Sequence, residues 1–423
     1  MIKLETTNSP LLIGRQVNEK TDQRSVNISL KKRVGDYFKS LSTGSEGIVG
    51  LTDGSHVLTI SADAHERLRA CSIPNLLTYP GSVVVVDPSG EAYAATARAR
   101  REMGQTVVRL DPFRVVDADT DAFNPIDFLQ AVDESAFEST CQDIAALIPG
   151  FHAFSDIWDG NAFGLLSGVI GYMAVVPEKR KFSEIYDILH QDDVVYSLAV
   201  VLDTVGGRIP KMSYSEIASW LQKVDAERSR ILSAITAKIK ALNAEVVKES
   251  FRESTVTPAE IIEGKPVSVY LMMPPEMMPT HYSLFSIWIG TLLRCARDHR
   301  FRPEIPMLFL LDETASFSPF SQMQAAITSP NANKLRIWTF WQDVQQIRKS
   351  CPGSWIFENC GAIQVFGTKD FDASSELAAT LGVEPMTIHS LVTYEQIVSI
   401  MGDIHRINKL DYRADPLFKG TFD

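Results

Sequence analysis

Residues Pro306 to Glu313 read Pro-Met-Leu-Phe-Leu-Leu-Asp-Glu. Five consecutive apolar residues closed by two acids predict a buried parallel strand that delivers Asp312 and Glu313 to the edge of a sheet. Nucleotide-driven motors need that pair: one carboxylate holds a Mg²⁺ ion and the other polarises an attacking water. Asp312 is therefore the candidate metal ligand and Glu313 the candidate catalytic residue. The same two acids also suit a plain strand end, where they would be scaffold. A G-x-x-x-x-G-K-[ST] loop, which would hold the phosphates of such a nucleotide, occurs nowhere in the 423 residues. The chain reads as a motor domain with half of its nucleotide site altered.

A parallel sheet must position these acids, and its signals are present. Residues 57–60 form a short β-type run. Val83–Val86 is a buried strand closed by Asp87-Pro88, with a turn over 87–90. A helix over 96–103 and a strand over 106–110 complete a βαβ unit. Strand patterns return at 267–272, 335–341 and 362–366, with helices over 281–297, 344–348 and 374–381. Between about 128 and 245 the rhythm is helical, over 162–176, 182–190, 214–221 and 225–242. Residues 1–45 are polar and aperiodic, the mark of a poorly ordered lead-in. The expected layout is an α/β domain made of residues 46–127 and 250–423, interrupted by an all-α insertion over 128–249.

Composition narrows the function. With 45% apolar residues and ordinary Gly and Pro counts, the chain is globular. A net charge of −11 argues against indiscriminate coating of nucleic acid. Arg98, Arg100 and Arg101 form one basic cluster, and Lys179, Arg180 and Lys181 form another. Solvated helix ends and a local basic lining are both open readings of them. Trp338 and Trp341 share one strand and read as core rather than as a base-stacking platform. Five cysteines without C-x-x-C spacing suit free thiols in a reducing compartment and predict no zinc site. No apolar leader is visible in residues 1–30. The longest apolar runs, 162–176 and 284–293, fall short of the roughly 20 residues that cross a bilayer. Buried helices, and no transmembrane segment, are expected.

Further segments, in order, carry a family resemblance. Ile73-Pro74-Asn75-Leu76-Leu77 leads into the run from Pro80 to Glu91, followed by Asp111-Pro112-Phe113 and by Phe123-Asn124-Pro125-Ile126-Asp127. Trp158, Asp225-Ala226-Glu227-Arg228-Ser229, and Val269-Tyr270-Leu271 before Pro274-Pro275 come next. The Asp-Glu strand, Trp341-Gln342-Asp343, the stretch 359–367 and the run from Asp411 to Phe418 close the series. Over roughly residues 50–420 the chain resembles the type IV coupling proteins, TraG-like ATPases that feed DNA or protein into conjugative and type IV secretion channels.

That resemblance implies a RecA-like P-loop NTPase fold, α/β with a mostly parallel sheet flanked by helices and an inserted all-α domain. It also implies ATP and Mg²⁺ as cofactors, and a homo- or hetero-oligomeric ring, usually hexameric. The implied partners are type IV secretion machinery or a relaxosome-type protein–DNA substrate, with DNA itself as a possible ligand. The implied location is the bacterial cytoplasm, peripheral to the inner membrane. Relatives usually carry amino-terminal membrane helices, which this chain does not show.

Counting back from Ile73, the family's phosphate loop falls on Ser61, Ala62, Asp63, Ala64, His65, Glu66, Arg67 and Leu68. Ser61 and Glu66 stand where glycines belong, Arg67 replaces the lysine, and Leu68 offers Mg²⁺ no oxygen. Glycines let amides wrap a phosphate, and side chains obstruct that. Glu66 would face the phosphates at a cost of about 4 kcal/mol, for charges about 4 Å apart at an effective dielectric of about 20. Gln342 matches the glutamine that senses the γ-phosphate. Ser89 replaces a common lysine, and Lys334 and Arg336 lie where relatives offer an arginine finger. Two functions follow: a coupling-protein-like component with weak or lost ATPase activity, or an active DNA-translocating ATPase with a non-standard loop, working in a mixed hexameric ring.

Overall fold

A computed structural model describes residues 11–16, 47–51, 55–151, 157–300, 303–317, 321–329 and 334–423. The chain divides into two compact units, one made of residues 1–107, 303–319 and 326–423, the other of 108–302 and 320–325.

In chain order the strands are β1 (Leu11–Arg15), β2 (Ile48–Leu51), β3 (His56–Ile60), β4 (Val83–Val86), β5 (Thr106–Leu110) and β6 (Val267–Leu271). They continue with β7 (Met307–Leu311), β8 (Leu335–Trp341), β9 (Cys360–Phe366), β10 (Glu395–Ile400) and β11 (Asp403–Asn408). In the first unit the strands lie side by side in the order β2-β1-β11-β10-β9-β3-β8-β7-β4. From β9 to β4 every pairing is parallel; from β2 to β9 every pairing is antiparallel. The parallel block is the sheet that the apolar runs predict. Val83–Val86 and Met307–Leu311 are buried along their whole length, as strands covered on both faces must be. Trp338 and Trp341 are core.

The antiparallel half departs from the sequence reading. Within the expected lead-in 1–45, Leu11–Arg15 is a buried strand; most of the rest of that stretch lies outside the described residues. Its anchor is Asn75, in the helix Ile73–Thr78. The Asn75 side chain accepts from the Leu12 N–H at 2.8 Å and donates to the Leu12 carbonyl at 2.9 Å. Beneath it runs a buried polar chain in which Trp338 Nε1 donates to Thr59 Oγ1 and Thr59 donates to Gln364 Oε1, both at 2.7 Å. Gln364 continues to Gln396, and Gln396 donates to the Ile13 carbonyl at 2.9 Å. Such side chains belong in a core only when paired in this way.

The second unit holds β6 and most of β5, and from 128 to 249 it contains helices and no strand among the described residues. The central helix Ile157–Val175 is buried around most of its circumference. Gly164, Gly168 and Gly171 line one of its faces. Any Cβ there would strike Glu216 or Ser213 of the helix Lys211–Leu221, so these glycines permit close backbone approach. Asp159 and Lys238 pair at 2.6 Å and tie the central helix to the helix Asp225–Ile239. The helices Glu134–Ala145 and Val194–Val205 lie within the stretch read as helical, which gave neither of them bounds of its own. All five cysteines are free. Among the described residues no helix is long and apolar enough to cross a membrane.

Candidate functional site

Parallel strands end together, so the carboxyl edge of β3, β8, β7 and β4 gathers the residues that follow each of them. After β7 come Asp312 and Glu313. After β8 comes Gln342, exposed beside the turn that follows β3, where the Ser61 N–H donates to the Trp341 carbonyl at 2.9 Å. After β4 comes Asp87, which is buried and accepts from the Tyr93 N–H at 2.8 Å at the head of the helix Glu91–Glu102. Burial pushes the Asp87 carboxyl up to about 6, with the amides of that helix opposing. Gly90 takes the left-handed conformation (φ 73°) that the turn needs, and Ser89 Oγ accepts from the Glu91 N–H.

The segment 61–68 does not form a loop. β3 ends at Ile60 and a helix begins at Ala64, leaving a three-residue turn. Asp63 caps that helix: its Oδ1 accepts from the His65 N–H at 2.9 Å and the Glu66 N–H at 3.2 Å. Capping by an aspartate is the ordinary way to satisfy these amides. It also places a carboxylate where the amino end of the helix would otherwise face an anion. Ala62, Ala64 and His65 are exposed, and Leu68 begins a wider π-type turn over Leu68–Ser72.

Arg67 points inward from this helix and is only 1% exposed. Its Nε donates to Asp312 Oδ1 at 2.9 Å, its Nη1 to the Ser61 carbonyl at 2.7 Å, and its Nη2 to Glu313 Oε1 at 2.7 Å. Nη2 also lies 2.8 Å from Asp312 Oδ1. One guanidinium therefore spans from β3, past β8, to the acids after β7. Asp312 is 8% exposed; burial pushes its carboxyl above the ordinary value, against the pull of Arg67 and the Glu313 N–H. Glu313 sits at φ 50°, a left-handed conformation uncommon for a residue with a side chain.

Of the residues singled out in the sequence, the structure joins Ser61, Arg67, Asp312 and Glu313. Gln342 stays exposed at the neighbouring strand end. Glu66 behaves differently from the expectation: it pairs with Lys409, whose ammonium also lies 4.6 Å from the centre of the Phe366 ring. The anion at the head of the helix is Asp63. Its role was readable from the pattern Asp-x-x-Glu ahead of a helical run. The partners supplied by the carboxyl-terminal segment were not readable. Besides Lys409 they include Asp411 on Arg69, Arg413 on Glu91 and Asp415 on Arg15.

Two further expectations change. Arg336 is no finger, because it is buried and donates to the Leu51 carbonyl. In the basic cluster, Arg98 pairs with Glu102 and Asp423, whereas Arg100 is fully buried and donates to the carbonyls of Leu76, Tyr79 and Gly81.

A family model described as type IV secretory system conjugative DNA transfer matches residues 16–382. The type IV secretion system-coupling protein VirD4 of Bartonella quintana (strain Toulouse) is 21% identical over 348 residues, covering 78% of this chain and 53% of the relative. The conjugal transfer protein TraG of Escherichia coli is 21% identical over 402 residues, covering 88% of this chain and 60% of the relative. The chain thus spans only a little over half the length of these curated relatives. Among solved structures, the plasmid coupling protein TrwB in complex with ADP and Mg²⁺ superposes with a TM-score of 0.68 at 14% identity, covering 97% of this chain and 98% of that one. This likeness establishes the RecA-like P-loop NTPase fold class.

Proposed function

The chain belongs to the type IV secretory system conjugative DNA transfer family, and from that premise we propose that it is a coupling-protein-like component of a type IV secretion or conjugative DNA transfer system with weak or lost ATPase activity. One observation carries the second half of this reading: the Arg67 guanidinium is shared between Asp312, Glu313 and the Ser61 carbonyl.

Relatives of this fold have been solved with ADP and Mg²⁺, and the arrangement here does not fit that ligand. The amides at the head of the helix are taken by Asp63, the three-residue turn is too short to cradle a triphosphate, and both acids that would serve a metal are bound to Arg67. Phosphate oxygens brought to this edge would meet the Asp63 carboxylate and the acid pair, so like-charge repulsion opposes them. What remains is a motor fold able to dock. On this reading it engages secretion machinery or a relaxosome-type protein–DNA substrate at the cytoplasmic face of the inner membrane, as a member of a homo- or hetero-oligomeric ring.

Phosphate release by the purified chain, measured with and without DNA, tests the proposal. The expected result is turnover indistinguishable from that of Glu313→Gln. DNA-stimulated turnover that Glu313→Gln abolishes would replace it with the reading of an active translocase using a non-standard loop.

A further inference from the structure

Two acids at a buried strand end need a cation. Left unpaired, Asp312 and Glu313 would be neighbouring like charges partly removed from water, and one would have to take up a proton. In this chain the cation is covalently attached. We propose that Arg67 is a built-in counterion that stands in for a divalent metal between Asp312 and Glu313, so that the chain itself holds this edge of the sheet together without any ligand. This deepens the proposed function, since it rests on reading the Asp312–Glu313 edge as a former nucleotide site.

The side chain suits the task. A guanidinium is always charged and spreads its N–H donors over a planar fork. Here each of its three nitrogens is used, on a carbonyl after β3 and on both acids after β7. The donors reach two carboxylates at once, as a bound metal ion would. Its neighbours leave it undisturbed. Glu66, one residue away, is drawn off by Lys409, and Asp63 is committed to the helix amides. Glu313 holds its left-handed backbone conformation while its Oε1 accepts from Arg67.

The experiment is thermal denaturation of the full chain with and without MgCl₂, comparing wild type, Arg67→Ala and the neutral set Arg67→Met, Asp312→Asn, Glu313→Gln. Arg67→Ala is expected to melt roughly 3 °C lower, because it strands two partly buried acids. Mg²⁺ should recover part of that loss and should shift wild type by less than about 1 °C. The neutral set should melt near wild type and ignore Mg²⁺. An Arg67→Ala variant that melts like wild type overturns the inference, as does one that melts lower yet does not respond to Mg²⁺. If Arg67→Ala does not fold, the neutral set decides: folding near wild-type stability supports the inference, and failure to fold overturns it. A wild-type protein stabilised by Mg-ATP, with DNA-stimulated turnover that Glu313→Gln abolishes, defeats the proposed function as well. A wild type silent to Mg-ATP beside an Mg²⁺-insensitive Arg67→Ala defeats this inference alone.

Discussion

Arg67 and Arg100 are both buried almost completely, 1% and 0% exposed, in the same unit, yet they are satisfied by different chemistry. Arg100 leaves the helix Glu91–Glu102 and donates to the Leu76, Tyr79 and Gly81 carbonyls and to Gln105 Oε1. These are neutral acceptors built from a turn, and the cage fixes the path of the chain between a helix and β4. Arg67 instead draws on two carboxylates delivered by the strand that, in a nucleotide-driven motor, serves a metal and a water. A scaffold arginine is caged by dipoles that have no other use. A counterion arginine occupies acids that could bind something else, and substitutions should separate the two.

Arg100→Ala should have the largest effect. It leaves several buried carbonyls unpaired and opens a cavity, for a loss of about 4 kcal/mol in urea unfolding. MgCl₂ should not recover it, in contrast to Arg67→Ala; recovery would erase the distinction between the two arginines.

A third buried arginine, Arg336, gives a pH-dependent test. Burial first, and then the charge of Arg336, lower the pKa of His56 to about 4. The His56 Nδ1 accepts from the Ile337 N–H at 3.0 Å, so the folded chain needs the neutral ring. The unfolded chain binds that proton near pH 6.5, so between about 6.5 and 4 the unfolded state holds more protons. Stability is therefore lost as pH falls through that window, by up to roughly 3 kcal/mol. Asp87, raised to about 6, acts in the opposite sense, since a carboxyl that protonates more readily when folded favours the fold as pH drops below about 6. Comparing wild type with His56→Gln isolates the imidazole. The difference between the two unfolding curves should shrink toward pH 4, and a difference constant with pH would contradict the neutral ring.

The smallest expected change is on the Arg67 side. Asp63→Ala removes a helix cap and should cost about 1 kcal/mol in urea unfolding. Inorganic pyrophosphate should not stabilise the variant, because the turn remains short and Arg67 remains engaged. Stabilisation by pyrophosphate would show that Asp63 alone blocks the anion position.

The centre of the parallel block was legible because Val83–Val86 and Met307–Leu311 are uninterrupted apolar runs with abrupt ends, and its other strands are short β-type runs bounded by turn residues. Within that block the pattern marked Val83–Val86 and Leu335–Trp341 with the bounds the structure has, and it placed Asp312 and Glu313 at an edge; outside it, Thr106–Leu110 was bounded equally well. The antiparallel half was not legible. Gln396, Ser399, His405 and Arg406 break the alternation in β10 and β11, and β1 lies in polar surroundings and is held by residues distant in sequence, Asn75, Gln396 and Asp415 among them. At the site, residue types showed that segment 61–68 was altered and that Arg67 kept a positive charge. They could not show where Arg67 points, because its carboxylate partners lie some 245 residues away in sequence. Nor could they show that Lys409 would remove the charge of Glu66 from the edge, since that pair closes only in the folded chain.

Calorimetric titration of Mg-ATP into the wild-type chain tests most directly whether Arg67 holds the place of the ligand. The account predicts no saturable heat. Saturable binding with a micromolar or tighter Kd, retained by a protein whose Arg67 still contacts Asp312 and Glu313, would contradict it.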